Sequence, residues 1–212
     1  MNNIAQILSK SHYQAFDLIE GDKRDSDSKL KYDLSRLDSY DSTGKSVLDV
    51  GCNAGYFLFK LCNKGASRLV GIEIGEKFVT IANDLDREVF KSPPQLITFI
   101  CGDFLTYQFK EKFDLIICLS TFHYFGYNQP VFFDLSHQLL NDDGKLLVEI
   151  EECLDNGGPY VDVDLRDRNR LYPNALQISN YIRNKFKVIG KYLSAHQKGS
   201  VYDRWFYELE KI

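Results

Sequence analysis

The chain has no excess of positive charge: 26 lysines and arginines stand against 30 aspartates and glutamates in 212 residues, a formal net charge of −4. The lack of a global basic field argues against a dedicated nucleic-acid binder while leaving room for a local patch. No apolar run approaches the ~18 residues of a membrane helix, and Met1 to Lys10 is too short and too polar for a signal peptide. The five cysteines, Cys52, Cys62, Cys101, Cys118 and Cys153, are odd in number and lack paired ligand spacing, so they read as reduced core residues. No His/Asp/Glu cluster has the spacing of a metal site, and no internal repeat or low-complexity tract is present. The expectation from these absences is a cytoplasmic protein with no metal and no membrane association. At 44% hydrophobic residues, the chain is long enough for one substantial core and short for two.

What is present is a strand that runs into a glycine-spaced turn and then a helix. Val47, Leu48 and Val50 read as a buried parallel strand, Gly51 and Gly55 permit a tight turn, and Ala54 to Cys62 has helical character, with Phe57, Leu58 and Leu61 on one side. The helix N-terminus then offers unpaired N–H groups to a polar ligand. A dinucleotide fingerprint would read G-x-G-x-x-G, but here the run is Asp49-x-Gly51-x-Asn53-x-Gly55. The middle glycine is absent and an acid precedes the turn. A carboxylate there repels a pyrophosphate, yet it can organise the turn or meet an ammonium group. Glu73 ends the apolar run Leu69-Val70-Gly71-Ile72 roughly 20 residues after the turn, the offset of an acid that accepts ribose hydroxyls. The pair fits a ligand with a ribose and a cationic amino-acid part.

At these residues the chain resembles the class I S-adenosylmethionine-dependent methyltransferases, whose first motif looks like Val47 to Gly55. The likeness runs from Lys45 to Tyr207. Leu96 to Cys101 reads as a third strand, followed by Gly102-Asp103-Phe104, where the family has its adenine-contacting acid and an apolar neighbour. Phe113 to Ser120 looks like the fourth strand, Thr121-Phe122-His123-Tyr124 the loop near sulfonium and acceptor, and Asp142-Asp143-Gly144-Lys145 the turn into a fifth strand, Leu146 to Ile150. The resemblance implies S-adenosyl-L-methionine as cofactor, contacted by Asp49, Gly51, Cys52, Asn53, Gly55, Tyr56, Glu73, Ile74, Asp103, Phe104 and Leu119. It also implies an α/β, Rossmann-like three-layer sandwich. Its seven-stranded, mostly parallel sheet has order 3-2-1-4-5-7-6 with strand 7 antiparallel, and ligand binds beyond strands 1, 2 and 4.

The expected organisation is an N-terminal helical cap over residues 1–44 and a methyltransferase domain over 45–212. Gly21 to Asp41 is crowded with charge and carries Leu30, Leu34 and Leu37 at the spacing of one amphipathic helix. That helix is either a lid over the cofactor end or a solvated helix packed on the sheet edge. His12, Tyr13 and Gln14 precede it, where relatives line the acceptor pocket. From Lys45 onward strands and helices alternate, as in a mainly parallel sheet with helices on both faces. A helix over Ala175 to Asn184 then leads into two β-rich runs, Phe186 to Leu193 and Val201 to Leu209, which read as a hairpin.

Methyl transfer from a sulfonium is an in-line displacement in which positioning supplies most of the acceleration. A hydroxyl acceptor must also lose its proton, and His123, which titrates near neutrality, is the candidate base. The alternative is that His123 packs or hydrogen-bonds beside the cofactor. Tyr124, Glu149, Glu151 and Glu152 are candidates for the acceptor side, with Tyr124 and Glu151 grouped with His123 as catalytic. Strand alternation predicts that at least one of the carboxylates is solvated. Phe122, Tyr124, Phe125 and Tyr127 can wall an acceptor, whereas Phe132 and Phe133 pack the following helix. Arg166, Arg168 and Arg170 can grip a phosphate or carboxylate, or form a surface loop self-neutralised by Asp162, Asp164 and Asp167.

Leu119-Ser120-Thr121-Phe122 is not the Asn/Asp-Pro-Pro-Tyr/Phe pattern of relatives that methylate amides or adenine N6, so those acceptors are disfavoured. The first expectation is O-methylation of a small metabolite or glycan. The second is a tRNA or RNA-end methyltransferase, since parts of the chain are similar to wobble-uridine and RNA-end enzymes and Lys185, Lys187 and Lys191 can meet phosphates. A third is a methyltransferase-like scaffold without turnover. The oligomeric state is not readable from the sequence.

Overall fold

Val47, Leu48 and Val50 are buried, as a strand flanked on both faces by helices requires. The computed structural model of the chain describes residues 6–7, 14–19, 22, 27–154, 171–196 and 202–212. His12 and Tyr13, the arginine-rich stretch 166–170 and the link between the last two strands lie outside the described residues. In chain order the elements are α1 (Ser28–Leu34), β1 (Ser46–Val50), α2 (Tyr56–Cys62), β2 (Arg68–Glu73) and α3 (Glu76–Leu85), then β3 (Ile97–Cys101), β4 (Phe113–Cys118) and a 3-10 segment (Phe122–Asn128). They continue with α4 (Gln129–Leu139), β5 (Leu140–Cys153), α5 (Ala175–Ile182), β6 (Phe186–His196) and β7 (Tyr202–Lys211). The sheet order is β3-β2-β1-β4-β5-β7-β6, with β7 antiparallel to both neighbours, as the resemblance implied. Two compact units divide the chain, residues 1–108 and 109–212.

In the first unit β1, β2 and β3 pair in parallel, with Val50 beside Ile72 and Glu73 beside Cys101. Gly71 of β2 lies under the turn after β1. A Cβ there would meet Cys52 Sγ at 2.6 Å and Leu58 Cδ1 at 2.9 Å, so the helix packs this close only over a glycine. Phe16, Tyr56, Phe59, Phe90 and Phe99 form a linked aromatic cluster, with Phe59 stacked on Phe90 at 3.9 Å. The N-terminal helix departs from expectation. Leu30 and Leu34 are exposed, and Ser28, Lys31 and Tyr32 are the buried side chains of α1, with Leu37 buried beyond its end. The leucine spacing misled because Tyr32 buries more surface and Lys60 of α2 lies over its ring, 5.4 Å from the centroid. Cys101 is exposed, unlike the buried Cys52, Cys118 and Cys153, and none of the five cysteines is in a disulfide.

In the second unit β4 pairs in parallel with β5, and β7 lies antiparallel between β5 and β6, its pairing with β6 being the expected hairpin. The expected turn into strand 5 is instead a bulge within it. Phe113 pairs with Leu140 and Leu115 with Lys145, while Asp143 takes a left-handed φ of 61° in the residues looped out between. The residues after β4 also differ: Phe122 opens a 3-10 segment rather than a loop. Its ring is fully buried against Phe132 and Phe133, so it walls no acceptor. Phe132 and Phe133 do pack α4 as expected.

Candidate functional site

The turn between β1 and α2 is tied to the end of β2 by its backbone. Gly51 and Cys52 N–H both donate to the Ile72 carbonyl, at 2.8 and 3.2 Å. Gly51, Asn53 and Gly55 all have left-handed φ, 77°, 50° and 87°. At Gly55 a Cβ would also press Phe99 at 2.7 Å, so both conformation and packing demand glycine there. The amides at the start of α2 are already engaged, contrary to the expectation of open donors. Gln14 Oε1 accepts Ala54 N–H at 3.1 Å and Tyr56 N–H at 3.4 Å, Asn53 Oδ1 accepts Ala54 N–H at 2.8 Å, and Glu73 Oε2 accepts Asn53 N–H at 3.1 Å. Gln14, expected at the acceptor pocket, is therefore a clamp on this turn.

Glu73 ends β2 half-buried, and its other oxygen accepts Gly75 N–H at 2.9 Å. Two of its roughly four lone-pair sites are thus used, which orients the carboxylate and leaves acceptor capacity for a vicinal diol. Gly102 N–H donates to the Glu73 carbonyl at 3.0 Å, which joins the ends of β2 and β3. Asp103 follows, with Oδ1 accepting Leu105 N–H at 2.9 Å in a local turn. Next to it Phe104 is buried, while Ile74 is 74% exposed beside Glu73. Asp49 is the most unusual group. It is fully buried, its Oδ2 has no hydrogen-bond partner among the described residues, and burial followed by the charge of Glu73 pushes its proton affinity well up. A buried oxygen left over beside a second acid fits a cationic ligand group. Cys52 and Tyr56 are packed into the core. Burial first, then Asp49 and Glu73, raise the Cys52 thiol well above its ordinary range, so it is no thiolate. The Tyr56 hydroxyl donates to Asp17 at 2.8 Å.

In the second unit Leu119 is buried and Ser120 adopts a left-handed φ of 58°. That conformation is held by Glu149, whose Oε2 accepts both Ser120 N–H at 2.9 Å and Ser120 Oγ–H at 3.0 Å; Ser194 of β6 donates to Oε1 at 2.6 Å. His123 Nδ1 lies 3.5 Å from Glu151 Oε2, and Arg204 Nη2 lies 2.6 Å from Glu151 Oε1. The His123 ring centroid is 4.2 Å from that of the exposed Tyr124. Glu151 and Glu152 are both inside β5 and both buried, which overturns the expectation of a solvated loop acid. They do point oppositely. Glu152 accepts from Lys191 Nζ at 2.7 Å and from the Tyr207 hydroxyl on the other face. Lys191 is therefore already paired, as is Lys185 with Asp134 at 2.8 Å, while Lys187 stays exposed.

Sequence reasoning missed Ser120, Ser194 and Arg204. A signal for Arg204 was available, a lone cation in the aromatic run Tyr202 to Tyr207, because a buried charge needs a partner. Nothing local marked Ser194. Among the described residues no group of three or more His, Cys, Asp or Glu is placed to hold a metal, and no helix is long and apolar enough to cross a membrane.

Residues 48–148 match the family model described as a methyltransferase domain. Among curated proteins, the chain is 31% identical over 137 residues to the tRNA U34 carboxymethyltransferase of Campylobacter hominis, an alignment covering 63% of this chain and 42% of that protein. The chain spans about two fifths of the length of the curated relatives it matches first. Among solved structures it resembles the N-methyltransferase NodS from Bradyrhizobium japonicum in complex with S-adenosyl-L-homocysteine, with TM-score 0.67, 17% identity and coverage of 100% and 99% of the two chains. It also resembles magnesium protoporphyrin IX methyltransferase from Synechocystis with bound S-adenosylmethionine, with TM-score 0.64, 19% identity and coverage of 87% and 78%. At these identities the likeness to solved structures is one of fold.

Proposed function

We propose that this chain, whose residues 48–148 match a methyltransferase domain, binds S-adenosyl-L-methionine and transfers a one-carbon unit to RNA, with a tRNA as the acceptor. The observation that carries donor binding is the buried Asp49, with its unpartnered oxygen, beside the oriented Glu73 at the glycine turn. When bound, the donor supplies an activated methyl group on a sulfonium. Glu73 accepts ribose hydroxyls, Asp49 faces the cationic amino-acid end, and Asp103 with Phe104 and Ile74 meets the adenine. His123 takes the proton of a hydroxyl acceptor, and Tyr124 and Glu151 serve beside it. A cytoplasmic location goes with a tRNA substrate.

The choice of RNA over the metabolite or glycan first expected from the sequence rests on the 31% identity to a protein named for tRNA U34. That relative's name also specifies a carboxymethyl group, so the mass of the transferred unit belongs in the test. O-methylation of a small acceptor is the second reading, favoured by the net charge of −4 and by the pairing of Lys185 and Lys191. Titration calorimetry with S-adenosylmethionine, followed by incubation with bulk tRNA, metabolite and glycan pools and mass spectrometry of the products, separates the readings. The expected result is binding, with a mass increment on tRNA nucleosides alone and an affinity for tRNA that falls with salt. A labelled metabolite with unmodified tRNA would establish the second reading. Donor binding without turnover would leave a scaffold, and no donor binding would refute the whole reading.

A further inference from the structure

The amides of the turn after β1 all have acceptors. Gly51 and Cys52 N–H donate to the Ile72 carbonyl, Asn53 N–H to Glu73 Oε2, Ala54 N–H to Gln14 Oε1 and Asn53 Oδ1, Gly55 N–H to the Cys52 carbonyl at 2.9 Å, and Tyr56 N–H to Gln14 Oε1. None of these bonds goes to Asp49, which is 1% exposed and whose Oδ2 has no hydrogen-bond partner among the described residues. Asp49 pairs with Gly71 in the register of β1 and β2, so its side chain leaves the sheet on the same face as that of Glu73, two residues further along β2. Cys52 Sγ fills the room over Gly71, where a Cβ would meet it at 2.6 Å. A buried carboxylate needs a cation or N–H donors, and with neither the neutral acid is the stable form. Among the described residues, the titratable groups acting around Asp49 are Glu73, whose charge opposes its ionisation, and Cys52, whose thiol burial keeps protonated.

We propose that Asp49 selects ligands by charge: neutral in the empty chain, it ionises when the cationic amino-acid end of a nucleoside donor reaches it, and its proton leaves to solvent as the ligand binds. The identity of the cation rests on the donor reading proposed above; the neutral state of the empty site does not. One positive charge enters and one proton leaves, so the buried site carries the same net charge before and after. A nucleoside without the cationic end brings no such exchange and leaves Asp49 with its proton. The affinity for a cationic ligand then rises with pH, by up to about tenfold per unit, between the midpoint of Asp49 in the bound chain and its higher midpoint in the empty chain. Above the higher midpoint it levels off, because no proton remains to be lost.

The test is titration calorimetry with S-adenosylmethionine, S-adenosylhomocysteine and 5′-methylthioadenosine, the last of which keeps the nucleoside and lacks the amino-acid end. Measurements run from about pH 5 to about pH 7, below the range of about 7.7–8.0 where an α-amino group itself titrates. Each is made in two buffers of different ionisation enthalpy, so that released protons are counted. The expected result is release of up to about one proton with the first two ligands and none with the third, and an affinity that rises with pH for the first two alone. Asp49→Asn should abolish the release and flatten the curve. Difference infrared spectroscopy of wild type, empty against donor-bound, should show the band of a protonated carboxyl lost on binding, and this needs no variant should Asp49→Asn fail to fold. Release that persists in Asp49→Asn, equal release with 5′-methylthioadenosine, or release with S-adenosylmethionine alone overturns the proposal. Donor binding with no proton released and no carboxyl band lost overturns it and leaves the donor reading standing, whereas no binding of any of the three ligands refutes the donor reading and the proposal with it.

Discussion

Replacing Glu73 by glutamine tests the proposed donor site with a near-isosteric change. The two carboxylate oxygens accept Asn53 N–H at 3.1 Å and Gly75 N–H at 2.9 Å. A carboxamide has a single oxygen, so whichever N–H it keeps, its own NH2 group faces the other donor. The loss of one charge-assisted bond is worth about 1.5–3 kcal/mol, and the side chain is half-buried, so about 1–2 kcal/mol of folding stability should go. That corresponds to a fall in Tm of about 2–4 °C per kcal/mol. Ribose hydroxyls in the proposed role would lose a charged acceptor as well. A further ~1–3 kcal/mol there weakens S-adenosylmethionine binding by about 5- to 150-fold. Glu73→Ala, which leaves room for water to meet both amides, should be no less stable than Glu73→Gln. Calorimetric titration and thermal unfolding of both variants measure the two effects. A glutamine variant with wild-type Kd and wild-type Tm would refute both the anchoring and the ribose role.

Asp49→Asn should change the pH dependence of stability. An acid that holds its proton more tightly in the folded chain than in the unfolded one loses stability as pH rises from about 4, by up to about 1.4 kcal/mol per pH unit. The asparagine variant should therefore gain on wild type as the pH rises above about 4 in ligand-free melts, and parallel curves would show that Asp49 is not held protonated. Gly55→Ala combines a left-handed conformation, about 1–2 kcal/mol, with pressure on Phe99, about 1–3 kcal/mol. Urea unfolding should show a loss of about 2–5 kcal/mol, and a loss below 1 kcal/mol would mean that the turn relaxes. Glu149→Gln should cost about 1.5–3 kcal/mol through its three donors. An unchanged urea midpoint would show that the Ser120 turn holds its shape alone.

Much of the proposed donor side was legible because its signals are local. An apolar β-branched run, a turn that needs left-handed residues and an acid at a strand end each follow from neighbours along the chain. Asp49, Gly51, Gly55 and Glu73 could therefore be singled out before any coordinates. The proposed acceptor side was legible only in outline. His123 and Glu151 were candidates by position, but their relation to each other comes from the pairing of β4 with β5, which no local pattern specifies.

By itself, the sequence determined the alternation of strands and helices, the closing hairpin and the placing of acids at strand ends, since periodicity and backbone sterics act over a few residues. Tertiary structure alone decided that Gln14 would occupy amides 40 and 42 residues away, that α1 would bury Tyr32 instead of Leu30, and that Glu151 would meet Arg204 while Glu152 met Lys191. Those pairings join segments distant in the chain, and desolvation acts on whichever groups packing brings together, so their charge states are properties of the fold.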